Sequence, residues 1–248
     1  MSKDQTIALI TGASSGLGRE YCKQLARHYK TMLVVARREE RLKELSHELA
    51  DLGVETQCIE ADLATDAGLN HLLTTIQNVG HIDLLINNAG FGTFGSFASQ
   101  TLSTQFSMLH LHINAVVALC HAVIPFMKAR GNGTIINVAS MAAYVVMPNV
   151  SVYGASKRFI VYFSEALQEE IRDFGIKIQC LSPGYVQTEF FNAECWHKYA
   201  DENISADNCQ SPAQVVLESL TALSTDSVHV VPGIHNRKFL ETEFGIVI

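Results

Sequence analysis

The stretch SMAAYVVMPNVSVYGASK (140–157) holds two tyrosines, Tyr144 and Tyr153, and a third, Tyr162, follows shortly after. Tyr153 and Lys157 stand one helical turn apart, so on a helix they share a face. A phenol titrates near ~10, too high for a base at neutral pH, and a nearby cation favours the phenolate. Tyr144 has Pro148 at that offset and Tyr162 has Ala166, so of the three only Tyr153 has a cation one turn away. A phenol so placed can give a proton to an oxygen gaining negative charge, or take one back in reverse.

A second constellation lies at the start of the chain. The apolar run TIALIT (6–11) leads directly into TGASSGLGREYCKQLA, with glycines at 12, 16 and 18. Strand, glycine-rich turn, then helix is the setting in which backbone N–H groups and a helix N-terminus cradle a pyrophosphate. The end of the next predicted strand selects the nucleotide. An acidic residue there would bind a ribose 2′-hydroxyl and favour NAD. Ala36 is instead followed by Arg37 and Arg38, which suit a 2′-phosphate, so NADP(H) is expected over NAD(H). Asp62 and Leu63, after the third strand, are placed beside the adenine.

Behind these residues, short β-rich runs alternate with helix-patterned segments. The predicted strands are 6–11, 31–36, 55–60, 82–87, 133–139, 176–182 and 228–232; helices are expected near 17–29, 38–52, 66–79, 101–129, 151–174 and 212–224. Several strands are continuous apolar runs, as strands covered on both faces should be. The alternation predicts an α/β fold: a parallel sheet with right-handed crossovers and helices on both faces. No linker or repeat divides it, so residues 1–248 are expected to form one domain.

Segments 113–127 and 158–167 are apolar on nearly every side, and such helices must be covered on every side. A homo-oligomer, dimer or tetramer, through helices 113–129 and 153–174 is therefore expected. The formal net charge of −7 argues against nucleic-acid or anionic-membrane binding. Segment 113–127 is shorter than a membrane span, and no signal peptide opens the chain. The 6 cysteines lack ligand spacing and the 10 histidines are dispersed, so no metal site and a reduced, cytoplasmic setting are expected.

Taken together, TGASSGLG (11–18), Asp62, NNAG (87–90), Asn114, Ser140, YGASK (153–157) and PGYVQT (183–188) resemble the short-chain dehydrogenase/reductase family, in its order and at its spacing, to about residue 233. The resemblance implies a Rossmann-type, doubly wound parallel sheet of about seven strands, a nicotinamide cofactor and a tetrad of Asn114, Ser140, Tyr153 and Lys157. In it Tyr153 is the acid/base, Lys157 tunes it and holds the nicotinamide ribose, Ser140 holds the substrate oxygen, and Asn114 positions a relay water. Cofactor contacts are implied for Gly12, Ser14, Ser15, Gly16, Leu17, Gly18, Asn88, Ala89, Gly90, Pro183, Gly184, Val186 and Thr188, besides Arg37, Arg38, Asp62 and Leu63. The irregular segment 189–211 corresponds to a substrate lid. Met141, Tyr144, Val145, Val146, Met147, Tyr185, Phe190, Phe191 and Trp196, with Tyr199, are candidates for an apolar pocket. The expected reaction is hydride transfer between NADP(H) and an uncharged, partly apolar carbonyl or secondary alcohol. The competing reading is a non-catalytic NADP(H)-sensing or scaffolding protein on the same fold, against which the intact Tyr153–Lys157 pair argues.

Overall fold

Strands with aliphatic side chains on both faces have no polar side to offer water, so they settle inside a sheet with helices above and below. The computed structural model of the protein describes residues 6–192, 196 and 208–248. The strands are β1 (Ile7–Thr11), β2 (Thr31–Ala36), β3 (Glu55–Glu60), β4 (Leu84–Asn87), β5 (Gly133–Val138), β6 (Ile176–Leu181), a short pair β7 (Tyr185–Val186) and β8 (Cys209–Gln210), and β9 (His229–Val230). The main sheet has 7 strands in the order β3-β2-β1-β4-β5-β6-β9, and every pairing in it is parallel. The order reverses between β1 and β4, which opens a crevice at their carboxyl ends. β3 at the edge shows the alternating exposure of a half-covered strand, whereas β2 is buried almost throughout.

One face is covered by α1 (Gly16–Leu25), α2 (Glu39–Ala50) and α7 (Pro212–Ala222), whose Tyr21, Leu25, Leu42, Leu45, Leu49 and Val215 meet Ile10, Met32 and Val34. The other is covered by α3 (Asp66–Val79), α5 (Ala115–Arg130) and α6 (Ser151–Ile171), which bury Leu72, Ile76, Leu119, Val123, Ile160 and Val161 against Leu9, Leu33 and Ile135.

Two features depart from the sequence pattern. The expected helix 101–129 is α4 (Leu102–Leu109) and α5 joined by a π turn, His110–Asn114. The whole run Leu102–Arg130 has the length and hydropathy of a membrane span, longer than the apolar stretch suggested. Its inner side is in the core, while Val117 (36% exposed), with Phe159 and Tyr162 of α6, stays uncovered on the single chain. A C-terminal helix, α8 (Ile234–Phe244), also forms where no periodic stripe announced one; of its residues only Leu240 is buried.

The turn after β1 leaves no room for side chains. A Cβ at Gly18 would strike the Gly12 carbonyl and lie 2.6 Å from Asn88 Nδ2. Gly18→Ala is therefore expected to lower the free energy of unfolding by about 1–3 kcal/mol through overpacking. Urea denaturation reads this directly, and an unchanged midpoint would contradict it.

Candidate functional site

Ser140 follows β5 in extended backbone and opens the tight turn Met141–Ala143, its Oγ accepting the Ala142 N–H at 3.1 Å. Tyr153 and Lys157 lie on the buried face of α6 with Ser156, Ile160 and Ser164. Ser140 hydrogen-bonds the Tyr153 side chain, and Lys157 Nζ donates to the Val138 carbonyl at 2.9 Å. Thus β5 and α6 bring Ser140, Tyr153 and Lys157 together, as the pairing of Tyr153 with Lys157 on one helical face requires.

Burial dominates the electrostatics. The Tyr153 phenol is pushed up to about 12 by loss of water, with the Ser140 hydrogen bond pulling the other way. Burial lowers Lys157 to about 8. Its Nζ lies 5.8 Å from the Tyr153 ring centroid, and this cation does not offset the desolvation of the phenol. At neutral pH Tyr153 is a proton donor and Lys157 an ammonium.

Asn114 is not part of this group. Its side chain is exposed on the outer surface beside Leu73, Gln77, Val117 and His121, with Nδ2 3.5 Å from His110 Nδ1. The π turn widens the helix by one residue per turn and re-aims the side chains that it carries. Two residues earlier, His112 points inward: it is buried, and its Nδ1 is 2.9 Å from Ser156 Oγ. The motif LHLHIN did not mark it, because the register that turns His112 inward is set by the π turn.

The phosphate loop fits an anion. Gly12 and Gly16 take positive φ of 68° and 53°. No side chain caps the N-terminus of α1, and no acidic residue occupies its first turn, so its N–H groups face the crevice unopposed. Thr11 Oγ1 accepts the Asn88 and Ala89 N–H groups at 3.0 Å each, and Asn88 Nδ2 donates to the Thr11 carbonyl at 2.9 Å. Those bonds clamp the NNAG loop against the glycine turn. Thr188 approaches from the opposite side, 3.1 Å from where a Gly16 Cβ would stand. Asp62 is used locally, accepting the Ala64 N–H at 3.0 Å, with Leu63 buried beside it.

Of the two arginines, Arg38 reaches the loop, donating to Ser14 Oγ at 3.0 Å and Ser15 Oγ at 2.9 Å. Arg37 is exposed. Sequence reading missed Glu189, whose carboxylate bridges Arg38 at 2.8 Å and Arg41 at 2.5 Å and is held below the usual carboxylate range by them.

Over Tyr153 sits an aromatic cluster. Phe190 and Trp196 lie 5.8 and 6.4 Å from its ring, Phe191 stacks edge-on to Trp196 at 5.3 Å, and Phe94 is 5.6 Å from Trp196. Trp196 Nε1 donates to the Gly92 carbonyl at 3.0 Å, and Met108, Met147 and Val150 complete the cluster. Tyr185 joins through Phe191 at 5.9 Å. Met141 and Val145 are partly buried near the turn, and Val146 is 97% exposed. Tyr144 turns away: it packs on the α6 side of the core, its hydroxyl 3.4 Å from both Ser182 Oγ and His229 Nδ1. The turn at Met141–Ala143 carries it past the pocket that sequence spacing assigned it to. Of the segment 189–211, expected to form a lid, residues 193–195 and 197–207, Tyr199 among them, lie outside the described residues. Tyr162, further along α6, is 71% exposed. Among the described residues no cluster of three or more His, Cys, Asp or Glu is placed to hold a metal ion.

Comparisons with known proteins agree with this geometry. The family model for short chain dehydrogenases matches residues 6–198. The 17-beta-hydroxysteroid dehydrogenase type 3 of Rattus norvegicus is 32% identical over 225 residues, covering 85% of this chain and 73% of that protein. A short-chain dehydrogenase from Sphingobium yanoikuyae, solved in complex with NADPH, has 29% identity and a TM-score of 0.86, covering 97% of this chain and 92% of its own. A Burkholderia phymatum member in complex with NAD superposes with a TM-score of 0.84 over 98% of this chain and 92% of its own; at 21% identity it shows the fold alone.

Proposed function

The chain belongs to the short-chain dehydrogenase/reductase family of oxidoreductases, and on that premise we propose that it uses NADP(H) to interconvert a carbonyl and a secondary alcohol on an uncharged, partly apolar substrate. The observation that carries this reading is the grouping of Ser140 with the buried Tyr153 and Lys157, the lysine lying beside Gly90 of the NNAG loop that is clamped to the glycine turn.

A bound nicotinamide supplies the hydride in reduction and takes it in oxidation. The glycine turn and the α1 N-terminus would hold its pyrophosphate, Arg38 with Ser14 and Ser15 its 2′-phosphate, and Lys157 its ribose. Tyr153 keeps its proton on the phenol oxygen and delivers it to the substrate oxygen as that oxygen gains charge, while Ser140 Oγ steadies the same oxygen. Lys157 replaces the proton on Tyr153 from its ammonium. The aromatic cluster keeps water out: Tyr153 is only 8% exposed. The described cluster members carry no charge, which favours an apolar substrate, and the name of the rat relative points the same way.

Tyr153→Phe removes the proton donor and leaves its ring contacts, so turnover is expected to fall by about 10²–10⁴-fold with cofactor binding retained. Near-normal turnover in that variant would refute the assignment. The protonated lysine is needed in reduction. With Lys157 at about 8, the reduction rate is expected to hold below that pH and decline as pH rises through it. A profile of kcat from pH 6 to 10 checks the sign.

Arg38→Leu should raise the KM for NADPH about tenfold or more, the scale of a lost hydrogen bond to a charged group, and leave that for NADH nearly unchanged. Equal effects on both cofactors would mean that Arg38 does not read the 2′-phosphate.

A further inference from the structure

His112 is buried beside the reacting groups, yet the scheme above gives it no task. It is 1% exposed, and its ring stands edge-on to Tyr153 at 5.9 Å. Its neighbour Ser156 has one proton, which it donates to the Tyr153 carbonyl at 2.7 Å. The Ser156 oxygen must then accept from His112 at 2.9 Å, so the imidazole proton sits on Nδ1. Nε2 is left as a bare acceptor, and it has no partner in the protein. An unpaired acceptor at such depth is costly and calls for a donor.

The Lys157 ammonium is a donor close by. The position of a Cβ at Gly90 would be 2.9 Å from His112 Nε2 and 3.6 Å from Lys157 Nζ, so the two atoms flank one point. Both line one small cavity with Asn87, Asn137, Val138 and Ile160. Lys157 has three ammonium protons, of which one is on the Val138 carbonyl.

We propose that His112 is a positioning residue for Lys157: a neutral imidazole, locked as the Nδ1–H tautomer by Ser156, whose Nε2 accepts a hydrogen bond from the ammonium. The inference rests on the hydride-transfer reading only for its kinetic consequence. Burial, and the charge of Lys157, hold His112 well below the ordinary histidine range, so it remains an acceptor where the lysine is charged. The other titratable groups facing the pair are Tyr153 of α6 and Cys180 of β6; both are pushed up to about 12 by burial, so neither brings a negative charge. Phe91, 6.2 Å from the imidazole, closes the side toward the NNAG loop.

Nitrogen-15 NMR of the full chain labelled at histidine tests the tautomer without turnover. Between pH 6 and 9 His112 should show a protonated Nδ1 and a bare Nε2, and Lys157→Met should shift the Nε2 signal alone. A protonated Nε2, or no response to Lys157→Met, overturns the proposal. In kinetics, His112→Leu should lower kcat about 10²-fold, the scale of a misplaced catalytic group, with little change in the KM for the cofactor. It should also move the alkaline limb of reduction to lower pH, because the ammonium has lost an acceptor. His112→Asn should recover most of the loss, since an amide can donate to Ser156 and accept from Lys157. Wild-type kcat and pH profile in His112→Leu, or an Asn variant no better than Leu, would count against the role. Should His112→Leu fail to fold, Ser156→Ala frees the tautomer and should produce the same pH shift in milder form; an unmoved limb there overturns the idea. If the parent protein turns over no carbonyl, the functional reading fails, and the nitrogen shifts still decide the fate of His112.

Discussion

A lysine ammonium held out of water beside a phenol is the constraint around which this chain is organised. Burying such a cation is unfavourable unless oxygen acceptors replace its hydration. The Val138 carbonyl, at the carboxyl end of β5, supplies one at 2.9 Å, and burial still lowers Lys157 to about 8. The same burial raises Tyr153 to about 12. The two groups, which titrate close together in water, are thereby driven apart with the ammonium the stronger acid, which makes proton transfer from Lys157 to a Tyr153 phenolate downhill. Any opening of the cluster to solvent would undo that separation.

The sheet is what makes the constraint bearable. Asn87 and Asn137 stand opposite each other in the β4–β5 register, and Asn87 Nδ2 donates to Asn137 Oδ1 at 2.9 Å. Asn137 passes the chain on to Ser164 of α6 at 3.0 Å. This buried ladder fixes how deep α6 sits on the sheet, hence where Tyr153 and Lys157 stand relative to Val138. A buried network of this kind specifies one arrangement, because any slip leaves further polar groups unpaired beside Asn87 Oδ1, which has no partner in the protein. The Thr11–Asn88 clamp performs the same service one strand away, holding the NNAG loop against the glycine turn.

The seven strands, their parallel pairing and the Tyr153–Lys157 face were legible in the sequence because each depends on local periodicity or on spacing within one helix. The positions that escaped depend on something else. Asn114 turns outward and His112 inward through a π turn, which nothing in INAVVALCHAV announces. Tyr144 follows Ser140 closely in sequence, yet a tight turn sends its hydroxyl toward Ser182 and His229, on strands reached only through the fold. Glu189 meets Arg38 across 151 residues, a pairing for which no local pattern exists. Helix α8 buries a single side chain, so it carries no amphipathic stripe to read.

Glu189 and Phe190 are consecutive, and this joins the two halves of the site. Glu189 ties the turn that it opens to Arg38 and Arg41, beside Ser14 and Ser15. Phe190 lies against Tyr153 on the substrate side. Both belong to one short 3₁₀ turn, Glu189–Asn192, too small to bend independently at its two ends. Exposed ion pairs contribute little to overall stability, so Glu189 is poorly explained as a stabilising contact. Its position matters more: one peptide bond joins the carboxylate that holds Arg38 to the ring that lies against Tyr153. The contact at Arg38 and the cover over Tyr153 are therefore mechanically one property of this chain.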